Sequence, residues 1–362
     1  MARAPRAPFI YRPAQGLFTG PYMTLEIPKS LSILREACGR NDVRFEIVDS
    51  FSGFVARLSK GTRSYLVGAA GIGVYPINRA APFAIARDKA FTHYVLQQAG
   101  FSVPEGEHFF LRPPHQYILP PGRTRADGLR YAHRLSDGYT RPLVVKPNGG
   151  KGAKSVAYVC SEHELNHAFD DISPADEIAL IQSFIDAPEY RLFLIDGEIA
   201  FAYGKTRATI EGDGHTTVRA LCEVIVQRGI PRVPDLLNSS YFRAQLEKRG
   251  VSANSILPRG MEIPIDFVAN ISAGGALLGL LEPGPQLRAW ARRLASSVSL
   301  RVTGVDIFSP SGLADVQDIL VTDINGSPNL GTLYDLGYRE LVFDVWQTIL
   351  RKTFDEPWPM EL

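Results

Sequence analysis

Residues 321–331, VTDINGSPNLG, place Asp323 and Asn325 two apart at the end of an apolar run. Side chains at i and i+2 of a strand leave the same face, so a carboxylate and an amide oxygen aim at one point, which suits a hard cation. An ordinary Asx turn at a polar strand end is the competing reading of this segment alone. Asp306, in GVDIF, lies on a strand expected to pair with the first and brings a third oxygen donor. Oxygen donors beside phosphate groups are what Mg²⁺ selects.

Two lysines extend the pattern. Lys89 opens a helix, and Lys146 ends an apolar strand directly before a glycine loop, NGGKGAKS. Ammonium groups arriving from different sides would neutralise a triphosphate, and Gly149, Gly150 and Gly152 let backbone N–H groups approach its oxygens. Each lysine alone reads more readily as a solvated surface charge. In IQSFIDAPEYR, Gln182, Phe184 and Ile185 offer backbone groups and apolar faces for an adenine ring, and Glu189 could accept two ribose hydroxyls. A core strand with a charged turn is the alternative there. Taken together, these segments fit one task, holding ATP and magnesium over a carboxylate.

Elements able to position these groups are legible in the pattern. Residues 1 to about 80 read as a small α/β unit with strands in RFEIVDSFSGFVARL and RSYLVGAA. RDKAFTHYVLQQAG is helical and precedes a strand-like FSVPEG. TRPLVVKPNGGKGAKSVAYV reads as a hairpin with a glycine loop at its tip, and SEHELNHAFDDI as a helix with Ser161 as N-cap and Glu164 at capping-box spacing. IALIQSFIDAPEYRLFLIDGEIAFAYGK reads as strands with turns at DAPE and IDGE. Residues near 215–250 read as polar and helical, and GPQLRAWARRLASSVSL as an amphipathic helix. Two strands, RVTGVDIF and DILVTDIN, precede a C-terminal helix.

The 362 residues are 45% hydrophobic and 21% charged, with a formal net charge of +1, so the global balance favours neither a nucleic-acid nor a membrane-surface partner. Cys38, Cys160 and Cys222 read as small buried hydrophobes in a reducing compartment, and no stretch supplies the roughly 20 apolar residues of a membrane span, so a cytoplasmic protein is expected. HELNH, His163 to His167, matches the zinc-peptidase pattern H-E-x-x-H, but AFDDISPADEI supplies no further glycine and histidine, and a solvated helix is the preferred reading. GAAGIGVYP departs from G-x-G-x-x-G, GGKGAKS lacks the Walker A spacing, and no G-x-S-x-G is present.

Six blocks in order, ARDKAFTHYVLQQAGFSVP, PLVVKPNGGKGAKSV, IQSFIDAPEYRLFLIDGEIAFA, EGDGHTTVRAL, DFVANISAGG and GVDIF with VTDINGSPNLG, resemble the carboxylate-amine ligases of the ATP-grasp superfamily. The likeness is to the ligase module of cyanophycin synthetase and, more distantly, to glutathione synthetase and D-alanyl-D-alanine ligase. It implies an α/β protein of α+β lobes with the ATP-grasp fold. Residues 1–85 would be a pre-ATP-grasp substrate domain, 86–190 a central lobe with a glycine-rich lid, and 191–362 an antiparallel-sheet lobe with the metal and acyl-phosphate site. It further implies Lys89 and Lys146 on the phosphates, Gly149 to Ser155 as the lid, Gln182 to Ile185 as the adenine hinge and Glu189 on the ribose. Arg191 and Lys205 would contact transferring phosphate or acyl oxygens, and Asn270 to Gly275, with Gly274, would face the reacting carboxylate. Asp306, Asp323 and Asn325 would hold one or two Mg²⁺ ions, for which Mn²⁺ could substitute.

Two departures stand out. The family usually has glutamate where Asp323 stands, and EIPIDF lacks an arginine often found before the ANISAGG block, which would leave more charge to Arg191 or Lys205. The expected activity is ATP-dependent amide formation between amino acids or short peptides through an acyl phosphate, with a homodimer as the default assembly. A phosphotransferase or a nucleotide-binding protein without ligase chemistry is the alternative, with a zinc peptidase behind both.

Overall fold

The computed structural model describes residues 26–113, 120–150, 152–227, 236–271 and 274–356. Helix α1 (Lys29–Arg40) turns Leu31, Leu34, Ala37 and Cys38 to one side, the spacing of an amphipathic helix. Strands β1 (Arg44–Ile47), β2 (Val55–Lys60) and β3 (Arg63–Gly68) follow as an antiparallel meander. Helix α2 (Ala80–Ala86) then leads to α3 (Lys89–Gln98), whose N-cap Asp88 accepts from the Phe91 N–H at 2.8 Å. That cap sets Lys89 on the first turn.

A second sheet contains β4 (Gly106–Phe110), β5 (Leu143–Pro147), β6 (Ala157–Val159) and β7 (Ile178–Ser183) in the order β4-β7-β5-β6, all antiparallel. Pro104 delays the strand expected in FSVPEG, which begins only at Gly106. Helices α4 (Arg125–Leu135) and α5 (Glu162–Ile172) cover the sheet, and Ala132, Leu165 and Phe169 pack with Leu143 and Val145. Strand β5 alternates buried and half-buried positions, so Val145 faces this core and Lys146 the opposite side.

Strands β8 (Glu189–Ile195) and β9 (Glu198–Lys205) form a hairpin whose turn residues Asp196 and Gly197 both have positive φ, 51° and 80°. This is the geometry an Asp-Gly two-residue turn favours. DAPE is different: residues 186–188 carry the chain from one sheet into another, so β7 and β8 do not pair. Strand β10 (Thr209–Glu211), helices α6 (Val218–Gln227) and α7 (Ser240–Lys248) and strand β11 (Glu262–Pro264) make a small unit around Ile210, Val218, Phe242, Leu257 and Ile263. Its helices were expected to be polar, yet each keeps an apolar side for this core.

Strand β12 (Leu277–Leu281), helix α8 (Pro285–Val298), strands β13 (Val302–Phe308) and β14 (Leu320–Asn325) and helices α9 (Gly331–Asp335) and α10 (Arg339–Phe354) complete the chain. The third large sheet has the order β12-β9-β8-β13-β14. Its two faces are covered differently. Leu192, Leu194, Val305 and Ile307 pack under α8 with Leu287 and Leu294. Phe193 and Val302 share a core with Leu34 of α1, Leu58 of β2, and Trp346 and Ile349 of α10. The N-terminal sheet is thus joined to the C-terminal helix by common burial.

Cys38 and Cys222 are buried as expected, whereas Cys160 is only half-buried. Among the described residues no helix is long and apolar enough to cross a membrane. Trp346 is 2% exposed, and its ring lies 5.1 Å from that of Tyr75. Replacing it with alanine leaves a cavity where three elements meet, and the Trp346→Ala variant is expected to lose about 3–5 kcal/mol, read from the urea unfolding midpoint.

Candidate active site

Strand register assembles the site. Asp306 lies opposite Arg191 on β8 and opposite Asp323 on β14, and Arg191 lies opposite Tyr203 on β9. Two residues along, Glu189 lies opposite Lys205 and Phe308. Because strand side chains repeat with period two, these two rows share the face that carries Phe193 further along β8. Where that face runs beyond the α10 core, it borders a cavity of about 560 Å³.

Asp306 is held at both oxygens. Arg191 donates from Nε to Oδ1 at 2.6 Å and from Nη2 to Oδ2 at 2.5 Å, and Lys205 Nζ donates to Oδ1 at 2.6 Å. Lys205 also donates to Glu189. Burial pushes the Asp306 carboxyl up, but Arg191 and Lys205 outweigh it and hold the group well below the usual carboxylate range. Burial likewise lowers Lys205, and Asp306 and Glu189 reverse the effect, so it stays protonated. Glu189 is pushed up, first by burial, against the pull of Lys205. Arg191 and Lys205 are thus anchored to Asp306, and Glu189 to Lys205, while all three border the cavity.

The opposite wall comes from the second sheet. Lys146 projects from β5 across the gap and donates from Nζ to the Thr322 carbonyl on β14 at 3.3 Å, with no carboxylate in direct contact among the described residues. Burial lowers its pKa to about 8, with Asp323 opposing and Lys89 adding to the shift. Lys89 donates to the Gly150 carbonyl at 2.9 Å and lies 3.8 Å from Asp323. Asn148 fixes this lysine: its Nδ2 donates to Asp88 at 2.7 Å, and its Oδ1 accepts the Ala90 N–H at 2.8 Å. Sequence reading missed Asn148, although its place beside Lys146 in KPNGG was a usable signal. It also missed Tyr203, Phe267 and Phe308, apolar walls whose role depends on register.

The glycine loop partly departs from expectation. The Gly149 N–H donates to Asp176 at 2.7 Å, so it is not aimed at a ligand. A Cβ at Gly150 would fall 2.5 Å from Pro147 Cγ, so close packing demands glycine there. Gly152 has φ 64° and borders the cavity, whereas Ser155, with φ 54°, does not. Asn270 borders the cavity and donates to the Gly152 carbonyl at 3.5 Å, tying the two loops together. Gly274 and Gly275 stand back from it: the Gly275 N–H donates to the Asn270 carbonyl at 3.0 Å, and a Cβ on Gly275 would lie 2.4 Å from the Thr206 carbonyl.

At the far end, Gln182, Phe184 and Ile185 border the cavity. Gln182 lies on β7 between β4 and β5, so its strand neighbours compete for the backbone groups expected to read a base. Its side chain is described below. The Phe184 N–H donates to the Pro142 carbonyl at 3.2 Å, and its ring meets Tyr158 edge-on at 5.1 Å.

Asp306, Asp323 and Asn325 all border the cavity. Asn325 Oδ1 accepts the Ser327 N–H at 2.9 Å, so the Asx turn read as an alternative is present at this residue. Among the described residues no group of three His, Cys, Asp or Glu could hold a metal by itself. Two carboxylates and an amide oxygen still fit Mg²⁺, which commonly takes one or two carboxylates and completes its shell with phosphates and water. His163 and His167 are exposed, and Glu164 accepts the Cys160 N–H at 2.6 Å and a hydrogen bond from Ser240, so the HELNH glutamate holds its helix start. It bonds one residue earlier than a capping box requires.

No family model matches the chain. It is 28% identical over 250 residues to the glutathione biosynthesis bifunctional protein GshAB of Streptococcus mutans, a match covering 64% of this chain and 30% of the relative. It is 24% identical over 260 residues to cyanophycin synthetase of Crocosphaera subtropica, covering 67% of this chain and 28% of the relative. Among solved structures, a bifunctional glutathione synthetase from Pasteurella multocida matches with a TM-score of 0.50 and 19% identity over 90% of this chain and 44% of that one. This chain therefore spans about a third of the length of these two curated relatives. It has the ATP-grasp fold, and its sequence resembles ATP-grasp carboxylate-amine ligases.

Lys146 generates a prediction about stability. Its pKa falls from 10.5 when unfolded to about 8 when folded, so its charge costs stability in full below pH 8, and the cost fades as pH rises towards 10.5. Lys146→Met is expected to be more stable than the native chain at pH 7, by on the order of 1–3 kcal/mol. Paired thermal melts at pH 7 and 9.5 should show the gap narrowing at the higher pH.

Proposed function

We propose that the protein is an ATP-dependent ligase that joins a carboxylate to an amine of amino acids or short peptides through an acyl phosphate, releasing ADP and phosphate. One observation carries this reading. Lys89, Lys146, Asp306 and Asp323, from four separate segments, border a single cavity that also has a glycine loop and an apolar end. With Arg87, Lys154, Arg191, Lys205 and Glu189 the cavity is bordered by six cations and three carboxylates, a balance that favours a polyanion accompanied by a divalent ion. The sequence likeness to glutathione and cyanophycin ligases supports the same class.

A carboxylate resists amines because oxide is a poor leaving group. ATP, as phosphoryl donor, would turn that oxygen into a phosphate leaving group. Lys89 and Lys146 stand where they would neutralise the phosphates from the side of the second sheet. Arg191 and Lys205, anchored through Asp306, offer two preorganised cations to charge developing on the transferring group or on the carbonyl oxygen. Asp306, Asp323 and Asn325 would hold Mg²⁺, which supplies charge neutralisation when bound. Asn270 ties the glycine loop to the 270–275 loop, so both would respond together when the cavity fills. Ala70 and Gly71 border the same cavity, which supports a substrate role for the N-terminal unit. The three cysteines, unpaired, accord with a cytoplasmic setting.

Incubation with ATP, Mg²⁺ and paired amino acids or dipeptides is expected to yield ADP, phosphate and an amide. ADP with a stable phosphorylated product would point to a phosphotransferase, and an absence of ADP would refute the ligase reading. Lys146→Ala is expected to lower kcat/KM by about 30-fold or more, as a desolvated contact to phosphate worth about 2 kcal/mol is lost. Asp323→Asn is expected to cripple Mg²⁺-dependent ADP release with an unchanged circular dichroism spectrum.

A further inference from the structure

The apolar end of the cavity contains a polar group with a fixed direction. The Gln182 side chain is buried at 3% exposure and borders the cavity. Its Nε2 donates to the Pro104 carbonyl at 3.4 Å and lies 3.0 Å from His93 Nε2. A carbonyl only accepts, so the amide nitrogen is the end that faces Pro104 and His93, and His93 Nε2 must then present its lone pair. His93 sits on the inner side of α3, where burial first and Lys146 second lower its pKa to about 4, which keeps the ring neutral. Both amide hydrogens are used on the protein side. The remaining atom, Oε1, has no hydrogen-bond partner among the described residues.

We infer that His93 and the Pro104 carbonyl lock Gln182 as a one-way acceptor, which reads the exocyclic amino group of adenine and rejects a purine carrying oxygen at C6. The inference rests on the nucleotide reading proposed above. A free glutamine is ambivalent: rotating its amide by half a turn exchanges donor for acceptor, so it would serve 6-amino and 6-oxo purines alike. Here the same rotation would set Oε1 against the Pro104 oxygen, an acceptor–acceptor contact in a buried place, and His93 could meet it only by moving its hydrogen from Nδ1 to Nε2. A 6-oxo purine would therefore meet a fixed acceptor with its own acceptor. His93 is a positioning residue, acting through Gln182.

The test compares ATP with ITP, which differ at C6, by isothermal titration calorimetry with Mg²⁺ and the full chain. Native protein is expected to favour ATP by about tenfold or more. His93→Leu should reduce that preference several-fold, because the amide is then freer to turn. In a Gln182→Glu background either oxygen accepts, so adding His93→Leu should leave the preference within about twofold of that background. An unchanged preference in His93→Leu, or an equal fall in both backgrounds, would overturn the lock. Failure of the native chain to bind either nucleotide would instead refute the nucleotide site itself. Should His93→Leu not fold, ¹⁵N spectroscopy of the native chain decides: a neutral ring with hydrogen on Nδ1 between pH 5 and 8 supports the lock, and hydrogen on Nε2 overturns it.

Discussion

Asp306 organises the site because two cations reach it from two neighbouring strands. A buried carboxylate left alone would be costly, and so would Arg191 or Lys205 left alone on that face. Together they are tolerable, and the geometry is demanding: Arg191 uses two nitrogens on one carboxylate, and Lys205 shares itself between Asp306 and Glu189. Such a cluster adds little net stability over an apolar patch of equal volume. Its value is preorganisation, since the charges are held at a chosen point by partners that were desolvated during folding.

Lys146 shows the same economy from the other wall. It crosses between two sheets to a backbone carbonyl, and burial makes its charge unfavourable. A methionine would pack there at lower cost. A lysine held under-neutralised is primed for an anion, because an incoming phosphate relieves the strain that folding imposed. Asp88 and Asn148 serve this arrangement indirectly by fixing the start of α3 and with it Lys89.

Local chemistry was readable where it is local. The helix opened by Lys89, the Ser161 helix start, the Asp196–Gly197 turn and the amphipathic α8 follow from a few neighbouring residues, and each appears where its pattern indicated. Oxygen donors and lysines were also legible as types. Their partners were not: the Asn325 oxygen also accepts in an Asx turn, and Gly149 spends its N–H on Asp176. Gly275 looks like a carboxylate contact in one dimension and packs against the Thr206 carbonyl in three. No spacing rule reports which long-range neighbour claims a hydrogen-bonding group first.

By itself, the sequence determined the inventory: which strands alternate, which loops need glycine, which segments carry oxygen donors or ammonium groups, and in what order they occur. Tertiary structure decided the pairing. Arg191 meets Asp306 because β8 and β13 align at that register, and a slip of one residue in either strand would send its side chain to the α8 face. Lys146 meets Thr322, and His93 meets Gln182, across separations that only packing closes. Register and long-range contact depend on the summed burial of whole faces, so a short motif can name the participants in this site but not their partners.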